Sequence, residues 1–213
     1  MAYSKHRVRS AGYDCDAVRK TGVVLGKKVP VCEEEGLALS FDTTSGKIEL
    51  FSSDLKNLGF HPIPEFTQPE EPPVGMFRLL FGRAPTHTFG RTTNNRYLAQ
   101  VYKENEVWVN TQVAQSLPGF EDTPLKTGDR VVLVNQDNVR SNPVRIRVTE
   151  RIRGDCVYLV HGWGHTAKKL RYAFNRGASD SELVTRYNVD PIMGGTAMNV
   201  NFVRIEKPKG RAA

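Results

Sequence analysis

The stretch Met76-Phe77-Arg78-Leu79-Leu80-Phe81-Gly82-Arg83-Ala84-Pro85-Thr86-His87-Thr88-Phe89-Gly90-Arg91-Thr92-Thr93-Asn94-Asn95 joins an apolar run to a polar one. Bounded by Gly75 and Gly82, residues 76–81 predict a strand, so residues 82–95 form a loop at a strand's end. Loops in that position often carry function. This one holds two arginines, one histidine, four threonines and two asparagines with no acid, a donor set suited to phosphate oxygens and heteroaromatic edges. The same composition also serves an ordinary polar surface loop.

Downstream of that loop the chain is β-rich. Val107–Val109, Arg130–Asn135, Val144–Val148, Cys156–His161 and Asn199–Ile205 are short β-branched or alternating runs, and with Met76–Phe81 they make six strands, enough for a barrel. Gly128-Asp129 and Asp137-Asn138 supply turns, and Thr111–Leu117 suits a two-turn helix. Ser179-Asp180-Ser181-Glu182 has capping-box spacing, predicting a helix with Leu183, Val184 and Tyr187 on one face, stopped by Pro191.

Upstream the pattern is weaker. Thr21–Gly26 predicts a short strand, after which Pro30 and Glu33-Glu34-Glu35 break any regular reading. Phe41–Phe51 reads as a hairpin about Ser45-Gly46, and Ser53–Gly59 as a short helix capped by its serine. Five prolines in residues 61–75 predict an extended linker, where we place the boundary. The expected organisation is an irregular α+β segment with linker at 1–73, a barrel at 74–207 and a basic tail at 208–213.

Composition bounds the rest. At 213 residues and 39% hydrophobic the chain can bury a core. No apolar stretch reaches bilayer length, and Met1–Arg7 lacks the apolar run of a secretory signal, so neither membrane insertion nor export on its own signal is expected. A net charge of +7 permits anionic partners without selecting one, and Lys168-Lys169 and Lys207–Arg211 read as solvated. Cys15, Cys32 and Cys156 form no C-x-x-C pair, so no zinc, iron–sulfur or disulfide framework is expected, and Cys156 reads as an inert buried thiol.

Two later segments also place polar turns at the ends of elements. His161-Gly162-Trp163-Gly164-His165 offers close backbone approach, stacking and hydrogen bonds, while its glycines argue against the helix that a His161/His165 metal pair would need. In Arg186–Thr196, Asn188 offers an amide and Arg186 a fork, with structural capping the plainer role for both. No G-x-S-x-G, H-E-x-x-H or Walker-type loop occurs.

The order of Thr44–Glu49, the Pro-rich linker, Gly82–Thr88, Thr92–Asn95, Gly128-Asp129, Val134–Asp137, His161–His165 and Gly177–Asp180 to Asp190-Pro191 resembles the C-terminal part of molybdopterin oxidoreductases. The resemblance is closest to the polysulfide/thiosulfate reductase catalytic subunits. It implies a mainly β, six-stranded double-psi β-barrel with short helices, preceded by a remnant of the upstream domain. The implied cofactor is molybdopterin guanine dinucleotide, which carries its own molybdenum, so no metal ligand is expected from this chain. Carried over by motif, the cofactor-binding residues are Gly82, Arg83, Thr86, His87, Thr88, Arg91, Asn94, Asn95, His161, Gly162, His165 and Asn188.

Two departures accompany the match. The family's cysteine cluster and molybdenum-ligating domain have no counterpart here, which implies a C-terminal piece that needs the rest of the catalytic subunit, joined by an iron–sulfur electron-transfer subunit. Pro118–Thr127 is longer than the family's link, leaving that loop's path open. The implied location is periplasmic within an exported complex and otherwise cytoplasmic, with no nucleic acid as partner. The competing reading is a non-enzymatic barrel that has lost the cofactor and serves in binding or assembly.

Overall fold

Strands β1 (Phe77–Gly82), β2 (Glu106–Val109), β3 (Arg130–Asn135), β4 (Val144–Val148), β5 (Cys156–Val160) and β8 (Phe202–Glu206) close into a barrel in the order β1-β5-β2-β4-β3-β8. The computed structural model describes residues 2–26 and 41–208. Pairs β1/β5 and β2/β4 are parallel, and the other barrel neighbours run antiparallel. Alternation explains the closure. Leu79, Val107, Val109, Ile146, Val157 and Leu159 are fully buried, while Arg145 and Arg147 between them face out.

The long Pro118–Thr127 link packs against this core. Phe120 and Leu125 are buried in the same cluster as α5 (Thr111–Ser116), and the Leu125 N–H donates to the Ala114 carbonyl at 3.0 Å. Burying side chains of this size stabilises by about 2 kcal/mol each. Asn110 caps α5 by accepting from the Gln112 N–H.

Asn105 ties the loops to the barrel. Fully buried, it donates through Nδ2 to the carbonyls of Val160 (2.7 Å) and Ala178 (2.9 Å) and accepts from the Ala178 N–H. On the other side Asn201, also buried, accepts from the N–H groups of Thr185 and Arg186 and donates to the carbonyls of Arg186 and Met198.

That second knot corrects the expected helix after Ser179. Helix α6 (Asp180–Leu183) is a single turn, Ser179 makes no side-chain cap, and Tyr187 is exposed. Asn201 and Asp137 draw Thr185 and Arg186 off the helical path. The chain then forms a two-stranded ribbon, β6 (Asn188–Val189) with β7 (Thr196–Ala197), which the sequence reading missed.

Residues Met1–Phe66 and Thr67–Ala213 are two compact units. The described part of the first holds α1 (Ala2–Ser10), α2 (Cys15–Thr21) and α3 (Ser53–Asn57). Thr21–Gly26 is not a strand: Thr21 ends α2, and Gly22, at φ +75°, closes it by donating to the Val18 carbonyl. The hairpin at 41–51 is also absent. Gly46 does turn, but the Thr43 hydroxyl donates to the Lys47 carbonyl and the Glu49 carboxylate accepts from the Ser45 N–H, leaving Ile48 and Leu50 exposed and no ladder. In α3 the cap is Ser52 rather than Ser53. Residues 61–73 form no regular element, as the prolines require. Pro30, Cys32, the Glu33–Glu35 run and the tail residues 209–213 lie outside the described residues. Among the described residues no helix is long and apolar enough to cross a membrane.

Candidate functional site

Because β1 and β5 are parallel neighbours, with Gly82 opposite Val160, the loops that leave them emerge side by side. The segments that begin at Gly82 and His161 therefore meet. The His161 N–H donates to the Gly82 carbonyl at 2.8 Å, continuing the ladder into the loops. Gly162, at φ +104°, presses on the other backbone: a Cβ there would fall 2.5 Å from the Phe89 carbonyl carbon. Thr93, buried, donates its hydroxyl to the Gly90 carbonyl and so accepts from His165 Nε2 at 3.0 Å.

Many of the side chains that the sequence marks hold these loops together. His87 is buried, its Nε2 2.8 Å from the Tyr102 carbonyl; a carbonyl only accepts, so Nε2 carries the proton. Its ring meets Trp163 edge-on at 5.1 Å. Asn94 accepts from the Tyr172 N–H, joining the loop to residues 166–176, and Asn95 accepts from Tyr97 and Leu98 at the start of α4 (Leu98–Val101). His161 Nδ1 lies 2.6 Å from the carboxylate of buried Asp180, and its ring packs edge-on against Phe89. These contacts fix the backbone on which the remaining marked groups stand.

Those remaining groups are Arg83, Thr86, Thr88 and Arg91. Arg83 is exposed, its guanidinium 4.7 Å from the Phe89 ring centre, and Arg91 and Thr88 are exposed beside the 3₁₀ turn Phe89–Arg91. Thr86 is half-buried. Gly82 ends β1 under the Tyr158 hydroxyl. Asn188 is exposed in the β6/β7 ribbon opposite Ala197 and takes no part in the loop network.

Charge adds residues that motif reading missed. Residues 82–103 carry Arg83, Arg91, Arg96 and Lys103, residues 161–179 carry Lys168, Lys169, Arg171 and Arg176, and neither stretch contains an acid. Among the described residues none of these eight cations forms an ion pair, whereas Arg130, Arg140, Arg145, Arg147, Arg153, Arg186 and Arg204 all do. Arg96, Lys103, Arg171 and Arg176 line one cleft of about 470 Å³ with Gln100 and Tyr172. The signal that finds them is the absence of acid across both stretches, which shows only when the two are read together. Such a set suits a polyanion such as a diphosphate. No cluster of three or more His, Cys, Asp or Glu among the described residues could hold a metal ion.

Residues 77–202 match the family described as the Molydopterin dinucleotide binding domain. The chain belongs to this family. The thiosulfate reductase molybdopterin-containing subunit PhsA of Salmonella typhimurium is 28% identical over 176 residues, which is 81% of this chain and 22% of PhsA. Acetylene hydratase from Pelobacter acetylenicus shares the fold with a TM-score of 0.58 at 15% identity, over 80% of this chain and 24% of the hydratase. Both relatives extend far beyond the dinucleotide-binding barrel. The donor set fits the family's ligand: unpaired cations for phosphate charge, and hydroxyls and backbone amides for heterocycle edges.

Proposed function

We propose that this barrel holds molybdopterin guanine dinucleotide within a molybdenum-dependent oxidoreductase of the polysulfide/thiosulfate reductase type. The observation that carries the reading is the pair of acid-free loops, interlocked at the ends of parallel β1 and β5, with eight cations that form no ion pair among the described residues. When bound, the cofactor and its metal supply the two-electron chemistry. This chain's residues bind and orient. Arg91, Lys168, Lys169 and Arg171 offset phosphate charge, Thr86 and Thr88 offer hydroxyls to the ligand's polar edges, and His87, Asn94, Asn95, His161 and His165 keep the two loops in register. The rest of the catalytic subunit supplies the metal ligand and the substrate pocket, and an iron–sulfur subunit delivers electrons.

Isolation of the tagged chain from its source, with assay of bound molybdenum and guanine nucleotide, tests the reading. Recovery of both in a complex with a larger polypeptide is the expected result, and the double variant Arg91→Ala/Lys168→Ala should retain at least tenfold less nucleotide. A folded chain recovered alone and empty would overturn it.

A further inference from the structure

Beside the loop face, one row of outward positions on the barrel breaks the usual rule that exposed faces are polar. Leu80 pairs with Tyr158, Tyr158 with Trp108, and Trp108 with Arg147, so these four stand in line across β1, β5, β2 and β4. Each lies between inward core residues, so each points out. The next outward positions on β1, β2 and β4, Arg78, Glu106 and Arg145, are charged, whereas those on β5, Cys156 and Val160, are buried. Leu80, Tyr158 and Trp108 floor a cleft of about 520 Å³ also lined by Arg83, Arg147 and Arg151, with no acid among the described residues that line it. Glu106, 4.0 Å from Arg147, is the carboxylate beside it.

Three features point to what covers this cleft. Trp, Tyr and Arg are the side chains that concentrate binding energy in protein interfaces. The Trp108 indole Nε1 is buried with no hydrogen-bond partner among the described residues, a donor left unmet. A rim of guanidinium groups calls for carboxylates, and an apolar floor calls for apolar side chains between them. The geometry points to a docking face for an acidic, aromatic-bearing segment of the longer polypeptide in which this barrel works. The inference rests on that part of the proposed function, and it agrees with the chain matching only 22% of PhsA. The segment's carboxylates pair with Arg147 and Arg151, its rings lie on Trp108 and Tyr158, and a backbone carbonyl meets Nε1 once the Arg147 guanidinium, now 4.9 Å from the indole ring centre, turns onto the segment. Arg83 to Thr86 belong both to this cleft and to the β1 loop, so a docked segment abuts the cofactor face.

Fluorescein-labelled poly(Glu,Tyr) and poly(Glu), titrated with the full chain and followed by anisotropy, test the proposal without cofactor. Poly(Glu) measures charge attraction alone, and poly(Glu,Tyr) should bind at least tenfold more tightly. Arg147→Ala/Arg151→Ala, both exposed positions, should erase that increment, while Lys168→Ala/Lys169→Ala should weaken both polymers equally and preserve it. Thermal unfolding of each variant checks that it folds. Equal binding of the two polymers, or an increment that survives in Arg147→Ala/Arg151→Ala, would overturn the proposal; so would loss of the increment in millimolar GMP, which would make the cleft a nucleotide site. Cofactor retention in the Arg91 variant is read separately, so either result can fail alone.

Discussion

At the scale of single residues, the sequence names chemical types and withholds their partners. His87 and Asn105 are both polar and both buried, and the groups they bond are remote: the Tyr102 carbonyl for one, Val160 and Ala178 for the other. No local spacing announces such contacts: Asn105, just ahead of β2, reaches Val160 because β2 pairs with β5. Asn105 is the sharper case, because removing it strands two carbonyls and one N–H in the interior. Asn105→Ala should lower stability by about 3 kcal/mol, read from the urea midpoint at constant slope. A change under about 1 kcal/mol would mean that water replaces the side chain. Gly162→Ala should cost about 2 kcal/mol or more, since it combines a positive φ with a Cβ driven into the Phe89 backbone. Cys156 behaves as its sequence context suggests: burial pushes its thiol up to about 11, so a thiol reagent at neutral pH should modify it only as the barrel unfolds.

Among elements, the barrel strands were legible and the rest less so, for a physical reason. A strand with one face in the core must alternate or run apolar, and the six runs did so. The turn after Ser179 has helix-starting letters, but Asn201 captures the backbone N–H groups, and Asp137 the side chains, of the residues that would have continued it. The Asp137 contacts are open to a pH test. Hydrogen bonding from Arg186 first, then Thr185, holds the Asp137 carboxyl down to about 2, against 3.8 for an unperturbed aspartate. A depressed native pKa stabilises fully above the unfolded value and is lost as pH falls from about 3.8 through about 2. The thermal midpoint of wild type should therefore exceed that of Asp137→Asn at pH 5, with the gap closing toward pH 2. The site is exposed, so the effect should be modest and should shrink in salt. A gap that stays constant with pH would show that the carboxylate's charge contributes nothing.

For the whole molecule, the +7 charge looked diffuse in sequence and is organised in the fold. Outside the two loops the chain carries 22 Lys and Arg against 23 Asp and Glu, and on the barrel wall Arg130 and Arg145 share Glu104 while Arg140 and Arg204 share Glu206, so the remainder is close to neutral. The excess positive charge therefore collects on the two loops. Closing the barrel makes this difference: the same residues spread along an open chain would give a uniform weak field, whereas two adjacent acid-free loops give a focused one. Inorganic diphosphate should raise the thermal midpoint of the Thr67–Ala213 unit, because a ligand at 100 times its dissociation constant stabilises by about 2.7 kcal/mol. The shift should fall steeply between 50 and 500 mM salt, since exposed cations are screened beyond about one Debye length. Lys168→Ala/Lys169→Ala should reduce it, and Arg140→Ala, which removes a cation already paired to Glu206, should not. Equal sensitivity to both changes would mean that the protein answers to total charge, and that the loops hold no anion site of their own.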